Sequence, residues 1–204
     1  MQIKQICSKH LDSNTFIVTE NSQCLIIDCG AELKEVIENV GKLKVVGILL
    51  THGHYDHSIN AFEYARFFKT KIIASENIKT TVSDSIANYS EGRFYISDFS
   101  QFSLIAKDCQ IDLGDFKIDC LLTEGHSPCC ICYKIDKYLF AGDVFFENGI
   151  GRTDLIGSNK KAMLESLNKL ESVKFETCFS GHGNSSDFQS QQKNIKVFKR
   201  FLSR

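Results

Sequence analysis

The chain has 204 residues, 43% hydrophobic and 24% charged, with a formal net charge of −1. Its length and composition suit a single globular domain, residues 1–204, with a buried core. No basic tract exists to release nucleic-acid counterions and no apolar run reaches membrane-spanning length, so neither nucleic acid nor membrane is expected as a partner.

The first residues, "MQIKQICSKHLDSNTF", lack the apolar stretch of a signal peptide. The nine cysteines therefore read as reduced thiols in a cytoplasmic protein. In chain order, "TFIVT" and "CLIIDCG" predict strands rich in β-branched residues. Leu33, Val36, Ile37 and Val40 then share one helical face, and Gly41 stands where a C-terminal cap belongs. "KVVGILL" predicts a buried strand that ends at Thr51.

A helix carrying Ala61, Tyr64, Ala65 and Phe68 follows, then a short strand, "KIIAS". Residues 76–103 are polar and irregular and predict short helices and loops. Phe116, Ile118, Cys120 and Leu122 alternate as in a hairpin strand, and "ICYKIDKYLFAGD" reads as two strands around Asp136-Lys137. Ser158 is placed to cap a helix bearing Met163, Leu164, Leu167 and Leu170. "FETCFSGHG" predicts the last strand, and Ile195, Phe198, Phe201 and Leu202 the apolar face of a final helix.

The polar residues that carry chemistry all fall just beyond strand ends, where layered α/β folds build their sites. "THGHYDH" places His52, His54, Asp56 and His57 within six positions. In an extended segment His52 and His54 project to one side and can grip one ion. Asp56 and His57 project differently and can serve a second. His126 in "TEGHSPC" and His182 in "SGHGN" add ligands, and Asp143 in "LFAGD" is the natural bridge. Neutral imidazoles holding an ion with an open position lower the pKa of bound water to about 7. Paired ions can also polarise a carbonyl.

H-x-H-x-D-H, a later T-x-G-H-[ST]-P setting around His126, A-G-D at Asp143 and the final G-H-G together resemble the metallo-β-lactamase superfamily. The resemblance spans nearly the whole chain. It implies a four-layer αβ/βα sandwich of two mixed β-sheets flanked by helices. By that resemblance His52, His54 and His126 hold one metal, Asp56, His57 and His182 a second, and Asp143 both. Asp28 supports the histidine loop, and Asp56 also takes a proton from the nucleophilic water.

"GDVFFENGIGRTDL" is similar to the short hydroxyacylglutathione hydrolases (glyoxalase II) and to the persulfide dioxygenases. The first resemblance implies two divalent ions, zinc or else iron or manganese, and a metal-bridging hydroxide that attacks a small-molecule thioester. The second implies one iron on His52, His126 and Asp143. A broader ester or thioester hydrolase stays open.

Arg152, Thr153 and Asp154 read either as substrate contacts or as a buried ion pair that locks the loop bearing Asp143. Tyr55, Phe145 and Phe146 line a pocket or pack in the core. Cys129, Cys130 and Cys132 read as small buried hydrophobes rather than redox groups. His10 reads as a surface residue, and "KVFKR" as a solvated helix face.

Overall fold

The computed structural model describes residues 1–203. One sheet holds β1 (Gln2–Cys7), β2 (Asn14–Glu20), β3 (Gln23–Ile27), β4 (Lys44–Leu49), β5 (Ile72–Ser75) and β6 (Phe102–Ile105), in that spatial order. β1 to β3 pair antiparallel and β3 to β6 parallel. Helices α1 (Leu33–Val40), α2 (Tyr55–Ser58), α3 (Ala61–Phe68) and α4 (Ile78–Val82) lie in the crossovers.

The second half continues with β7 (Cys109–Leu113), β8 (Phe116–Leu122), β9 (Ile131–Ile135), β10 (Tyr138–Gly142) and the small ribbon β11 (Phe145–Phe146) with β12 (Gly149–Ile150). α5 (Lys160–Leu170), β13 (Thr177–Ser180), β14 (Ser186–Asp187) and α6 (Phe188–Leu202) complete it. Its six-stranded sheet runs β14-β13-β10-β9-β8-β7, with β10 and β13 parallel and the other pairs antiparallel.

Strand alternation builds the layers. Phe16, Val18, Leu25, Ile27 and Leu49 face inward against Phe116, Ile118, Cys120, Tyr133 and Phe140 of the other sheet. Their neighbours Ile17, Ile26 and Ile48 turn outward onto Val36, Val40, Ala61 and Tyr64 of the first helix layer. On the opposite outer face Cys132, Leu139, Ala141 and Cys178 meet Met163, Leu167, Leu170 and Ile195. The result is the expected four-layer αβ/βα arrangement of two mixed sheets. Tyr133 stitches the sheets by donating its hydroxyl to the carbonyls of Leu50 (3.0 Å) and Ile73 (3.1 Å).

Three local expectations need correction, and one strand goes unannounced. Asn159, not Ser158, caps α5: its Oδ1 accepts the Ala162 N–H at 3.0 Å, while the Ser158 hydroxyl turns back to Leu155 O. Phe201 is 63% exposed, because α6 buries Gln191, Ile195 and Leu202 instead. β13 is not the last strand, since β14 follows it. β1 is an edge strand whose residues are mostly exposed, so it lacks the apolar run by which a strand is read.

Candidate metal centre

Seven ligand-type side chains lie beyond the ends of β4, β8, β10 and β13 at one edge between the sheets. β4 delivers an extended Thr51–His54 segment; α2 then starts at Tyr55 and turns Asp56 and His57 toward the other side of the cluster. His126 follows β8, Asp143 follows β10 and His182 follows β13. Gly142 has φ 51, and a Cβ there would run into the Thr51 side chain, so glycine lets the Asp143 loop approach the histidine segment.

Donor atoms converge in three overlapping groups, each within 4.8 Å: His52, His54 and His126; His52, His57 and Asp143; Asp56, His57 and His182. His54 Nδ1 lies 3.0 Å from His126 Nε2, and His57 Nε2 lies 3.2 Å from His182 Nε2. Asp143 stands between the two sets. Its Oδ1 is 3.5 Å from His57 Nε2, and its Oδ2 is 3.5 Å from His126 Nε2 and 3.7 Å from His182 Nε2. Asp56 Oδ2 lies 3.2 Å from His57 Nε2 and 3.0 Å from His182 Nε2.

The outer ring nitrogens assign the tautomers. His126 Nδ1 and His182 Nδ1 face the carbonyl oxygens of Arg152 (3.1 Å) and Asp12 (2.9 Å), which can only accept. His57 Nδ1 lies 2.9 Å from Asp28 Oδ2. Thr51 donates its N–H to Asp28 Oδ1 (2.8 Å) and its hydroxyl to Asp28 Oδ2 (2.7 Å), so that hydroxyl accepts from His52 Nδ1 (3.1 Å). These four rings therefore turn an Nε2 lone pair inward.

Lone pairs facing one another at such distances repel, and a cation between them removes the repulsion. An ion with tetrahedral bonds of about 2.0–2.1 Å to nitrogen spaces its ligands by about 3.4 Å, close to what is found here. His52 Nε2 and Asp143 Oδ1 are buried without any hydrogen-bond partner, as expected of atoms reserved for an ion. The donor set fits two ions.

Electrostatics divide the cluster. Burial, reinforced by neighbouring imidazoles, holds His52 well below the ordinary histidine range and His54 down to about 3; burial also lowers His126. Burial pulls His57 and His182 the same way, but carboxylates overcome it: Asp56, Asp143 and Asp28 for His57, and Asp56 and Asp143 for His182. Both are raised. Burial would raise Asp56 in turn, yet His57 and His182 keep it below the usual carboxylate range.

The remaining site expectations meet mixed outcomes. Arg152 and Asp154 form a bidentate pair at 2.9 Å, but the side chains are 68% and 70% exposed, which corrects the buried-pair reading. That segment reaches the cluster through the Arg152 carbonyl instead. Phe145 is fully buried, whereas Phe146 is half-buried with its ring 6.3 Å from that of His182. Tyr55 is half-buried, 6.0 Å from the Phe94 ring.

Cys129, Cys130 and Cys132 are buried as expected, and burial pushes the Cys132 thiol up to about 12. Cys129 Sγ also accepts the N–H of Gly53, between His52 and His54, at 3.2 Å. Nothing in the sequence signals that contact, or the carbonyls of Arg152 and Asp12.

A two-sheet sandwich with a histidine–aspartate cluster at its edge defines a metallohydrolase type of protein. The chain belongs to the metallo-β-lactamase superfamily, whose family model matches residues 9–182. It is 33% identical over 191 residues to the probable metallo-hydrolase YqgX of Bacillus subtilis, covering 89% of this chain and 90% of that one. It is 26% identical to the hydroxyacylglutathione hydrolase GloC of Haemophilus influenzae, covering 88% and 89%. The crystal structure of BLEG-1 B3 metallo-β-lactamase superposes with a TM-score of 0.88 at 24% identity, covering 97% and 99%, a likeness of fold.

Proposed function

We propose that the chain is a binuclear metal-dependent hydrolase of thioesters, of the hydroxyacylglutathione type. The observation that carries this reading is the Asp143 carboxylate standing between two complete histidine sets. His52 Nε2, His54 Nδ1 and His126 Nε2 would hold one divalent ion and Asp56, His57 Nε2 and His182 Nε2 the other, with Asp143 available to both. Zinc suits this nitrogen-rich set, and iron or manganese is the alternative. Two such ions supply a nucleophilic hydroxide at neutral pH and polarise the scissile carbonyl.

The side chains supply the rest. Asp56 Oδ2, at the more open side of the cluster, accepts the proton of the attacking water. Each histidine of the cluster is engaged in ligation, which leaves no imidazolium to protonate a poor leaving group. A thiolate leaves without such help, because thiols are already acidic near pH 8.5. The likeness to GloC along nearly the whole of both chains supports the same substrate class.

The nine cysteines are unpaired, which fits a reducing cytoplasm. Among the described residues no helix is long and apolar enough to cross a membrane.

The test is steady-state hydrolysis of S-lactoylglutathione by the zinc-loaded protein. A kcat/KM above about 10⁴ M⁻¹s⁻¹, the lower edge of ordinary enzyme efficiency, is expected. A value orders of magnitude lower would remove glutathione thioesters as substrates. A second expectation concerns Asp28, whose Oδ2 accepts from both His57 and Thr51. Asp28→Asn turns either an amide donor or a displaced oxygen toward them, and should weaken ion binding about 10–100-fold in a competitive chelator titration. Unchanged affinity would show that His57 needs no such partner.

A further inference from the structure

Asp12, Ser13 and Asn14 lie at the entry to β2, far in sequence from every ligand, yet they grip two of them. Asp12 adopts a left-handed conformation (φ 54), and its carbonyl accepts from His182 Nδ1 at 2.9 Å. Ser13 donates its hydroxyl to the main-chain carbonyl of Asp56 at 2.7 Å and pairs with His182 in an isolated antiparallel bridge. Gly30 makes room for that hydroxyl, since a Cβ there would overlap both Ser13 Oγ and Asp56 O.

Asn14 holds the turn that carries His182. Its N–H donates to Gly181 O at 2.7 Å, and its Nδ2 donates to Ser180 O and Gly183 O, each at 3.0 Å. Gln5 Nε2 in turn donates to Asn14 Oδ1 at 2.8 Å and to Gly183 O at 3.2 Å. Ser13 and Asn14 are both buried, so these bonds form away from competing water.

The contacts are one-sided. They reach Asp56 and the turn around His182, and no hydrogen bond from the three residues reaches His52, His54 or His126. The difference matters because His52, His54 and His126 are packed into the protein, whereas the side chains of Asp56 and His182 are 26% and 32% exposed. Packing places the first set. The second set includes two ligands at the solvent edge, one from each half of the chain, which packing alone does not hold.

We propose that Asp12–Ser13–Asn14 is a positioning clamp for the second ion: it ties Asp56 to His182 and thereby sets the affinity of that position without affecting the first. The proposal rests on the binuclear reading above. Partners that orient ligands from behind typically change metal affinity about 10–100-fold when removed.

The experiment measures bound metal directly. Wild-type, Asn14→Ala, Ser13→Ala and Asn14→Asp full-length chains are loaded with Zn²⁺ or Co²⁺, counted by elemental analysis and titrated against a competing chelator. Circular dichroism confirms the fold of each. The wild type should hold two ions. Asn14→Ala and Ser13→Ala should keep one at wild-type affinity and bind the other about 10–100-fold more weakly, with loss of the second-equivalent Co²⁺ absorption.

Asn14→Asp fills the same space but replaces the amide donor that faces Ser180 O and Gly183 O. It should weaken the second ion at least as much as alanine does, whereas a space-filling role would spare it. Should Asn14→Ala fail to fold, Ser13→Ala, which deletes one hydroxyl, is read in the same way. Both ions retained at full affinity, or both lost together, would overturn the clamp. A wild-type chain with fewer than two ions would overturn the binuclear reading itself, before any substitution is compared.

Discussion

Asp143→Asn is expected to lower kcat/KM for thioester hydrolysis by about 10³-fold. The substitution keeps the volume of a nearly buried side chain, so the fold should survive. It removes the negative charge that faces both histidine sets. Whichever way the amide turns, its NH₂ points at ligand nitrogens, either His57 Nε2 or those of His126 and His182. Polarisation by bound ions is worth several kcal/mol in the transition state. Each 1.36 kcal/mol is a factor of ten, so losing about 4 kcal/mol gives the stated drop. Steady-state kinetics together with a metal count checks it. Activity within tenfold of wild type at full metal content would remove Asp143 from the chemistry.

Stripping the ions is expected to lower Tm by about 8–16 °C for each site emptied. An ion present at 1,000 times its Kd stabilises the folded chain by about 4.1 kcal/mol. One kcal/mol moves Tm by about 2–4 °C in a chain of 150–250 residues. The structural reason is the facing of His54 Nδ1 and His126 Nε2, and of His57 Nε2 and His182 Nε2, at 3.0 and 3.2 Å. Without cations these lone pairs confront one another unless protons are taken up. Calorimetry with chelator, then with zinc restored, measures the shift and its reversal. A Tm unmoved by verified metal loss would mean that the cluster does not couple ion binding to folding.

Much of the cluster could be read before any fold was known, because its side chains carry their chemistry in their identity. Three histidines and an aspartate in six positions after an apolar run cannot be a core strand, and they mark a strand exit. His126, Asp143 and His182 stand out for the same reason: each ionisable residue follows a glycine within four positions of a strand end. The strands themselves show through period-two alternation, as at Phe116, Ile118 and Cys120, whose side chains meet the opposing sheet.

What stayed hidden is carried by groups that every residue has or that only long-range pairing brings into play. The carbonyls of Arg152 and Asp12 orient His126 and His182, and a carbonyl has no residue-type signature. β1 is held by its ladder to β2 and exposes most of its side chains, so no apolar pattern announces it. Asn14 looks like an ordinary polar residue before a strand; only folding sets it against the turn of residues 180–183, more than 160 positions away.

By itself, then, the sequence determined most strands and helices and which side chains can bind an ion, since periodicity and donor chemistry are local properties; the two-sheet plan followed only from the resemblance to the metallo-β-lactamase superfamily. The tertiary structure alone decided which nitrogen of each histidine turns inward, how the two Asp143 oxygens divide between the sets and which main-chain groups hold them. Those depend on distances between segments, and only the packing of the two halves sets them.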